Sequence, residues 1–209
     1  MKNLKRIKPF MLQFTGLAVA LTLTFACNEN RTEDSKEVAE EMNEENLGNE
    51  SNNPVGIVES NNEGQFLVDA AEIHMEEVSL GKLAQMQGDN PTVKDLGKKM
   101  ENEHSKALTE LKALASAKNI TIPATETQDS RKTIDDIRDE TGVEFGKDYS
   151  ENSVKNHKDA IKLFEKAAED SEDPEIRSYA AQTLASLRTN LQLAEACKEE
   201  CERMAKSGQ

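Results

Sequence analysis

The chain has 209 residues, 36% of them hydrophobic and 32% charged, with aromatics at 4%, no Trp and a formal net charge of −14. A core of this composition must be mostly aliphatic, which suits helices better than a β-sandwich. The acidic balance argues against nucleic-acid binding, because neutralising phosphates takes clustered Lys and Arg. It also leaves only covalent or hydrophobic means of holding the chain on an anionic membrane leaflet.

Lys2, Lys5, Arg6 and Lys8 precede an apolar stretch from Phe10 to Ala26. That stretch is short for a membrane span and is broken by Thr and Gly, so residues 1–26 read as a secretory signal peptide. Thr24-Phe25-Ala26-Cys27 resembles the bacterial lipobox, with a small residue before the Cys and Thr24 where the pattern usually has Leu. The resemblance implies a lipid on Cys27 and a membrane-anchored domain in the periplasm or at the cell surface. An ordinary signal-peptidase site that leaves Cys27 free is the alternative. Residues 28–64 are rich in Glu, Asn and Ser. They hold too little apolar surface to offset ordering, so residues 27–64 are expected to be a lipidated Cys followed by a disordered acidic tether.

Beyond the tether, a period near 3.6 takes over. A first helix is predicted over residues 65–87. Asn90 and Pro91 then supply a cap and a first-turn proline for a second helix, which Asn119 can end near Lys118. A long connection follows, with room for one short helix around residues 133–139. A third helix is predicted over residues 147–168, and Pro174 opens a fourth that reaches about Met204. Two tight hairpins joined by a crossover make an all-α antiparallel four-helix bundle over residues 65–206.

Each helix carries an apolar seam with polar interruptions. Phe66, Ala70, Ile73, Glu77, Leu80 and Ala84 mark the first. Val93, Gly97, Met100, His104, Ala107, Leu111 and Leu114 mark the second. Ser153, His157, Ala160, Phe164 and Ala167 mark the third, and Ile176, Ala180, Thr183, Leu187, Asn190 and Ala194 the fourth. Glu77, His104, His157 and Asn190 therefore point into the core. A rise of about 1.5 Å per residue, counted from the hairpin loops, brings Glu77 level with His104 and His157 level with Asn190. Buried polar groups need partners. Two pairs, Glu77 with His104 and His157 with Asn190, would form a core polar network that fixes helix register. Alternatively, Glu77, Glu101, His104 and His157 would hold one ion. Such a carboxylate and imidazole set suits Fe, Zn, Mn or Cu. Glu101 lies three residues before His104 on the edge of the same face. His74 reads as a surface histidine that could lean toward the site.

Two hairpins, a crossover and Glu101-Asn102-Glu103-His104 together resemble the ferritin-like fold. Its di-iron members use two Glu and two Glu-x-x-His elements. Here the fourth helix offers Leu187-Arg188-Thr189-Asn190, and the third offers His157 in place of Glu, so a two-metal oxidase site is not expected. Ala70-Ala71, Glu77-Val78-Ser79-Leu80-Gly81-Lys82-Leu83-Ala84, Glu103-His104, Asn156-His157 and Ala160-Ile161-Lys162-Leu163-Phe164 resemble more closely the exported bacterial domain-of-unknown-function family numbered 4142. That resemblance implies a ferritin-like bundle without assigning an activity.

Cys197 and Cys201 are four apart on the fourth helix and are candidates for a local disulfide, or for a reduced, half-buried pair. No catalytic residue is singled out: the chain has no Gly-rich phosphate loop, nucleophile elbow or HExxH element. The sequence thus points to an envelope lipoprotein whose bundle is a non-catalytic binding or stress-related interaction module, with an envelope protein as a possible partner. A mononuclear metal-binding protein is the alternative.

Overall fold

The computed structural model describes the backbone of residues 34–50 and 54–208 and the side chains of residues 34–46 and 62–208. The signal segment and Cys27 lie outside the described residues. Six helices follow one another: α1 Ser35–Glu50, α2 Pro54–Gln87, α3 Pro91–Ala117, α4 Gln128–Arg138, α5 Gly142–Asp170 and α6 Pro174–Ser207.

The hairpin turns are set by the expected residues. Asn90 Oδ1 accepts from Val93 N, with Pro91 in the first turn of α3. Asp173 caps α6 by accepting from Glu175 N and Ile176 N, with Pro174 behind it. Asn119 takes the left-handed conformation just past α3, at φ 55°, which Asn tolerates better than most residues. α2 packs along α3 and α5 along α6; α2 also faces α5, and α3 faces α6. Neighbouring helices run antiparallel, so α3 and α5 point the same way on opposite corners. The chain must return along the bundle between them, and α4 lies on that return path against α2 and α5. This is the ferritin-like architecture: two hairpins and a long crossover.

The tether expectation is corrected over its described part. Ser35–Glu50 is helical, and α2 begins at Pro54, eleven residues before the predicted start. α1 carries few apolar residues, although Ala39 is buried. What holds it is hydrogen bonding to the crossover. Asn43 Nδ2 donates to Thr121 O at 2.8 Å, and Thr121 N donates to Asn43 Oδ1 at 2.7 Å. Ser35 Oγ accepts from Ala124 N, and Asp34 Oδ2 from Gln128 N. An extended crossover has backbone groups that need partners, and α1 provides them. Lys36 adds ion pairs to Asp69 and Glu72 of α2.

One close approach brings α2 and α3 together. A Cβ on Gly81 would sit 2.7 Å from Gly97 O, and one on Gly97 would sit 2.6 Å from Gly81 O. Only two facing glycines let the backbones meet this way. Gly81 lies one turn from Glu77, and the contact fixes how closely the α2 and α3 side chains beyond it can converge.

The core divides into two apolar clusters. One contains Phe66, Leu67, Leu111, Phe164, Ile176 and Leu187 among others. The other contains Leu80, Met100, Phe145, Tyr149, Ala194 and Cys201 among others. Between them every bundle helix contributes a buried polar side chain: His74 and Glu77 from α2, His104 from α3, Ser153 and His157 from α5, Asn190 from α6.

Candidate metal centre in the bundle core

The three histidines of the chain lie in one hydrogen-bonded row. Tyr179 Oη is 3.0 Å from His74 Nε2, His74 Nδ1 is 2.9 Å from His104 Nδ1, and His104 Nε2 is 3.2 Å from His157 Nε2. His157 Nδ1 lies 2.8 Å from the Ser153 carbonyl one turn earlier on α5. The row threads the centre of the bundle, and none of the three imidazoles is more than 2% exposed. Burial disfavours the imidazolium. It lowers His74 to about 3, with the charge of His157 adding to the effect, and His157 to about 4 against the opposing bond to Ser153. His104 is held well below its ordinary value by burial and by the other two rings. All three are neutral at pH 7 and each carries one ring proton.

Glu77 completes the cluster. It is fully buried, and neither carboxyl oxygen has a hydrogen-bond partner among the described residues. Oε1 is 3.6 Å from His157 Nδ1, whose proton is already directed at Ser153 O. Burial, with the charge of Glu76 second, raises the Glu77 carboxyl to about 8 against the opposing approach of Asn156 and Ser153. One ligand atom from each of Glu77, His104 and His157 falls within a set whose members all lie within 4.8 Å of one another. Two more buried atoms in this part of the core have no partner among the described residues, Tyr149 Oη and Asn190 Oδ1. Tyr149 is near enough for the Glu77 charge to act on its phenol.

The candidate residues therefore separate. Glu77, His104 and His157 converge. Glu101 does not join them: its Oε2 accepts from Gln85 Nε2 at 2.7 Å on the flank of the α2–α3 hairpin. Asn190 is buried, but its Oδ1 has no partner among the described residues, so the expected pairing with His157 is replaced by the Ser153 carbonyl and His104. Glu77 likewise makes no hydrogen bond to His104. His74, read as a surface residue, has 0% exposure and lies in the middle of the row. It and Tyr179 escape a reading based on one seam because the buried face is wider than a single line. Leu67, Ala71 and His74 form a second buried stripe beside Phe66, Ala70 and Glu77. Cys197 and Cys201 are free thiols, both buried in the second apolar cluster, and form no disulfide. Cys27 lies outside the described residues.

Residues 57–197 match the family described as a domain of unknown function, DUF4142, and the chain belongs to that family. None of the curated proteins matches it. Among solved structures, a crystal structure of a DUF305 fragment from Deinococcus radiodurans is similar at TM-score 0.59 and 14% identity, covering 66% of this chain and 96% of that one. At that identity the likeness speaks to the helical fold alone. A di-iron centre does not fit the residues present: α6 brings Asn190 instead of a second Glu-x-x-His, and Glu101 is turned to Gln85.

Proposed function

We propose that the bundle binds a single divalent transition-metal ion through Glu77, His104 and His157. The observation that carries this reading is the buried carboxyl group of Glu77, which has no close hydrogen bond and only the longer approach of Asn156 and Ser153, beside two neutral imidazoles. A buried polar group short of partners costs on the order of 1–3 kcal/mol, a cost that an ion held at this position would offset. The nitrogen spacing supports the same reading. Two nitrogens 3.2 Å apart, each about 2.0–2.1 Å from a shared ion, subtend roughly 100° at it, close to a tetrahedral angle. His157 would offer Nε2, since its Nδ1 proton is held by Ser153 O. That is the outer-shell bond which orients a ligating histidine. Three protein ligands leave a further position for water or a small ligand. The mixed oxygen and nitrogen set suits Fe, Zn or Mn and does not exclude Cu. The chain then acts as a metal-holding module of the cell envelope, with a lipid on Cys27 as its proposed anchor.

Metal analysis of the full-length chain, purified without a His tag, tests the proposal. The expected result is one ion per chain, lost in both His104→Ala and His157→Ala variants, and a melting temperature that rises when the ion is returned. A protein that gains neither metal nor thermal stability from Fe, Zn, Mn or Cu would refute it.

A further inference from the structure

The histidine row has a direction. A carbonyl oxygen can only accept, so at 2.8 Å from Ser153 O the proton of His157 must be on Nδ1. The Ser153 hydroxyl is also within 3.4 Å of that nitrogen, but the carbonyl is the nearer contact and decides the tautomer. With one proton per ring, His157 Nε2 is then an acceptor, and His104 must donate from Nε2. His104 Nδ1 becomes an acceptor, so His74 donates from Nδ1. His74 Nε2 in turn accepts from the Tyr179 hydroxyl. Read from the Ala107 carbonyl, to which the Tyr179 hydroxyl can also donate at 3.2 Å, the row would run the other way; the shorter 2.8 Å contact at Ser153 O sets the direction taken here.

The tautomer of His104 in this set puts a proton on the nitrogen that an ion would need. We infer that His74 and Tyr179 are positioning residues whose hydrogen bonds reverse when an ion takes His104 Nε2. This rests on the metal-binding reading above. In the reversed set His104 donates from Nδ1 to His74 Nδ1, and His74 donates from Nε2 to the Tyr179 oxygen. Tyr179 turns its own proton to the Ala107 carbonyl, which already lies 3.2 Å away. His157 is unchanged. Protons balance: the ion displaces one from His104 Nε2 and one from the Glu77 carboxyl to water, one moves from His74 Nδ1 to His104 Nδ1, one moves from Tyr179 to His74 Nε2, and Tyr179 regains one from water. No ring changes charge. Tyr179 is the end of the row that can exchange with solvent, being 8% exposed where His74 is 0%.

The second acceptor at Tyr179 is what permits the reversal. A phenol with one neighbour could serve only one of the two sets; Tyr179 has His74 Nε2 and Ala107 O. Bonds of this outer kind typically change metal affinity 10–100-fold when removed.

The full-length chain, labelled with nitrogen-15 in its histidine rings, gives six ring-nitrogen signals from three residues. Long-range proton–nitrogen spectra report which nitrogen of each ring is protonated. Without metal, protons are expected on His74 Nδ1, His104 Nε2 and His157 Nδ1. With one equivalent of Zn²⁺, those of His74 and His104 are expected to change nitrogen, and that of His157 to stay. A metal-free His104 protonated on Nδ1 would disprove the directed row whatever the metal result. Zinc bound without a change at His74 would disprove the reversal and leave the metal site standing. No zinc bound would remove the site and the reversal together. Tyr179→Phe keeps the shape of the side chain; its zinc affinity is expected to fall about tenfold with the metal-free tautomers unaltered, and an unaltered affinity would count against the inference.

Discussion

Glu77 is a fully buried carboxyl group, and its ionisation should be visible in stability. Its carboxyl group is raised to about 8, first by burial and then by Glu76, from an ordinary value of 4.5. The native state therefore holds a proton that the unfolded chain releases above pH 4.5, so this contribution is complete below pH 4.5 and is lost as pH rises through 8. The facing groups, His74, His104 and His157, act oppositely. They are neutral in the native state and protonated in the unfolded chain below their ordinary value of 6.5, so their contribution is present above pH 6.5 and lost as pH falls. Metal-free protein should therefore be most stable near pH 6.5. From there to pH 8 the Glu77 contribution should fall by on the order of 1 kcal/mol per pH unit, opposed above pH 7 by the lowered Cys201 thiol, and Glu77→Gln should remove that fall. Chemical denaturation in the presence of a chelator at several pH values measures the slope. Equal slopes in the two proteins would mean that Glu77 is not the protonated group. Glu77, His104 and His157 were legible in the sequence because alternating steps of three and four place them on the seams, and loop-counting levels Glu77 with His104; the depth of His157 against that pair depends on how the two hairpins dock, which counting from each loop does not fix. Glu101 misled because a residue three before a seam position sits at the edge of the face, where Gln85 captures it instead.

At the scale of elements, the two hairpins follow from local signals that agree with one another: caps at Asn90 and Asp173, prolines behind them, and apolar residues at helical spacing. α1 had no such signal. Its face toward the protein is largely polar, and it is stabilised by a crossover almost eighty residues later in the chain, a relation that periodicity does not encode. The two bonds of Asn43 to Thr121 are the most protected part of this contact, since Asn43 is 8% exposed. Asn43→Ala would leave the N–H and the carbonyl of Thr121 without those partners. The expected loss is about 1–3 kcal/mol, read as a lower denaturation midpoint, with amide exchange at Thr121 accelerated more than in the bundle core. An unchanged midpoint would mean that α1 docks without supporting the crossover. The facing Gly81 and Gly97 were equally hard to foresee as a pair, because a glycine on a seam declares small size but not which backbone it meets.

For the molecule as a whole, the docking of α1 changes what a lipid on Cys27 would do. A tether running to residue 64 would let the domain stand far from the bilayer. With the domain beginning at Asp34, only residues 28–33 separate it from Cys27. The seven steps from Cys27 to Asp34 span at most about 25 Å at roughly 3.3–3.6 Å each. That is about three screening lengths at physiological salt, where one is about 8 Å. The bundle carries most of the chain's acidic excess, so it would be held near the membrane by its anchor while its own charge is repelled by anionic lipids. No described helix is long and apolar enough to cross a membrane. The native chain is therefore expected in the membrane fraction at both low and high salt, and Cys27→Ser is expected in the soluble fraction at both. A Cys27→Ser protein that stays with membranes until salt is raised would instead mean that the chain is held by charge. One that stays at every salt concentration would mean that the leader, and not a lipid, is the anchor.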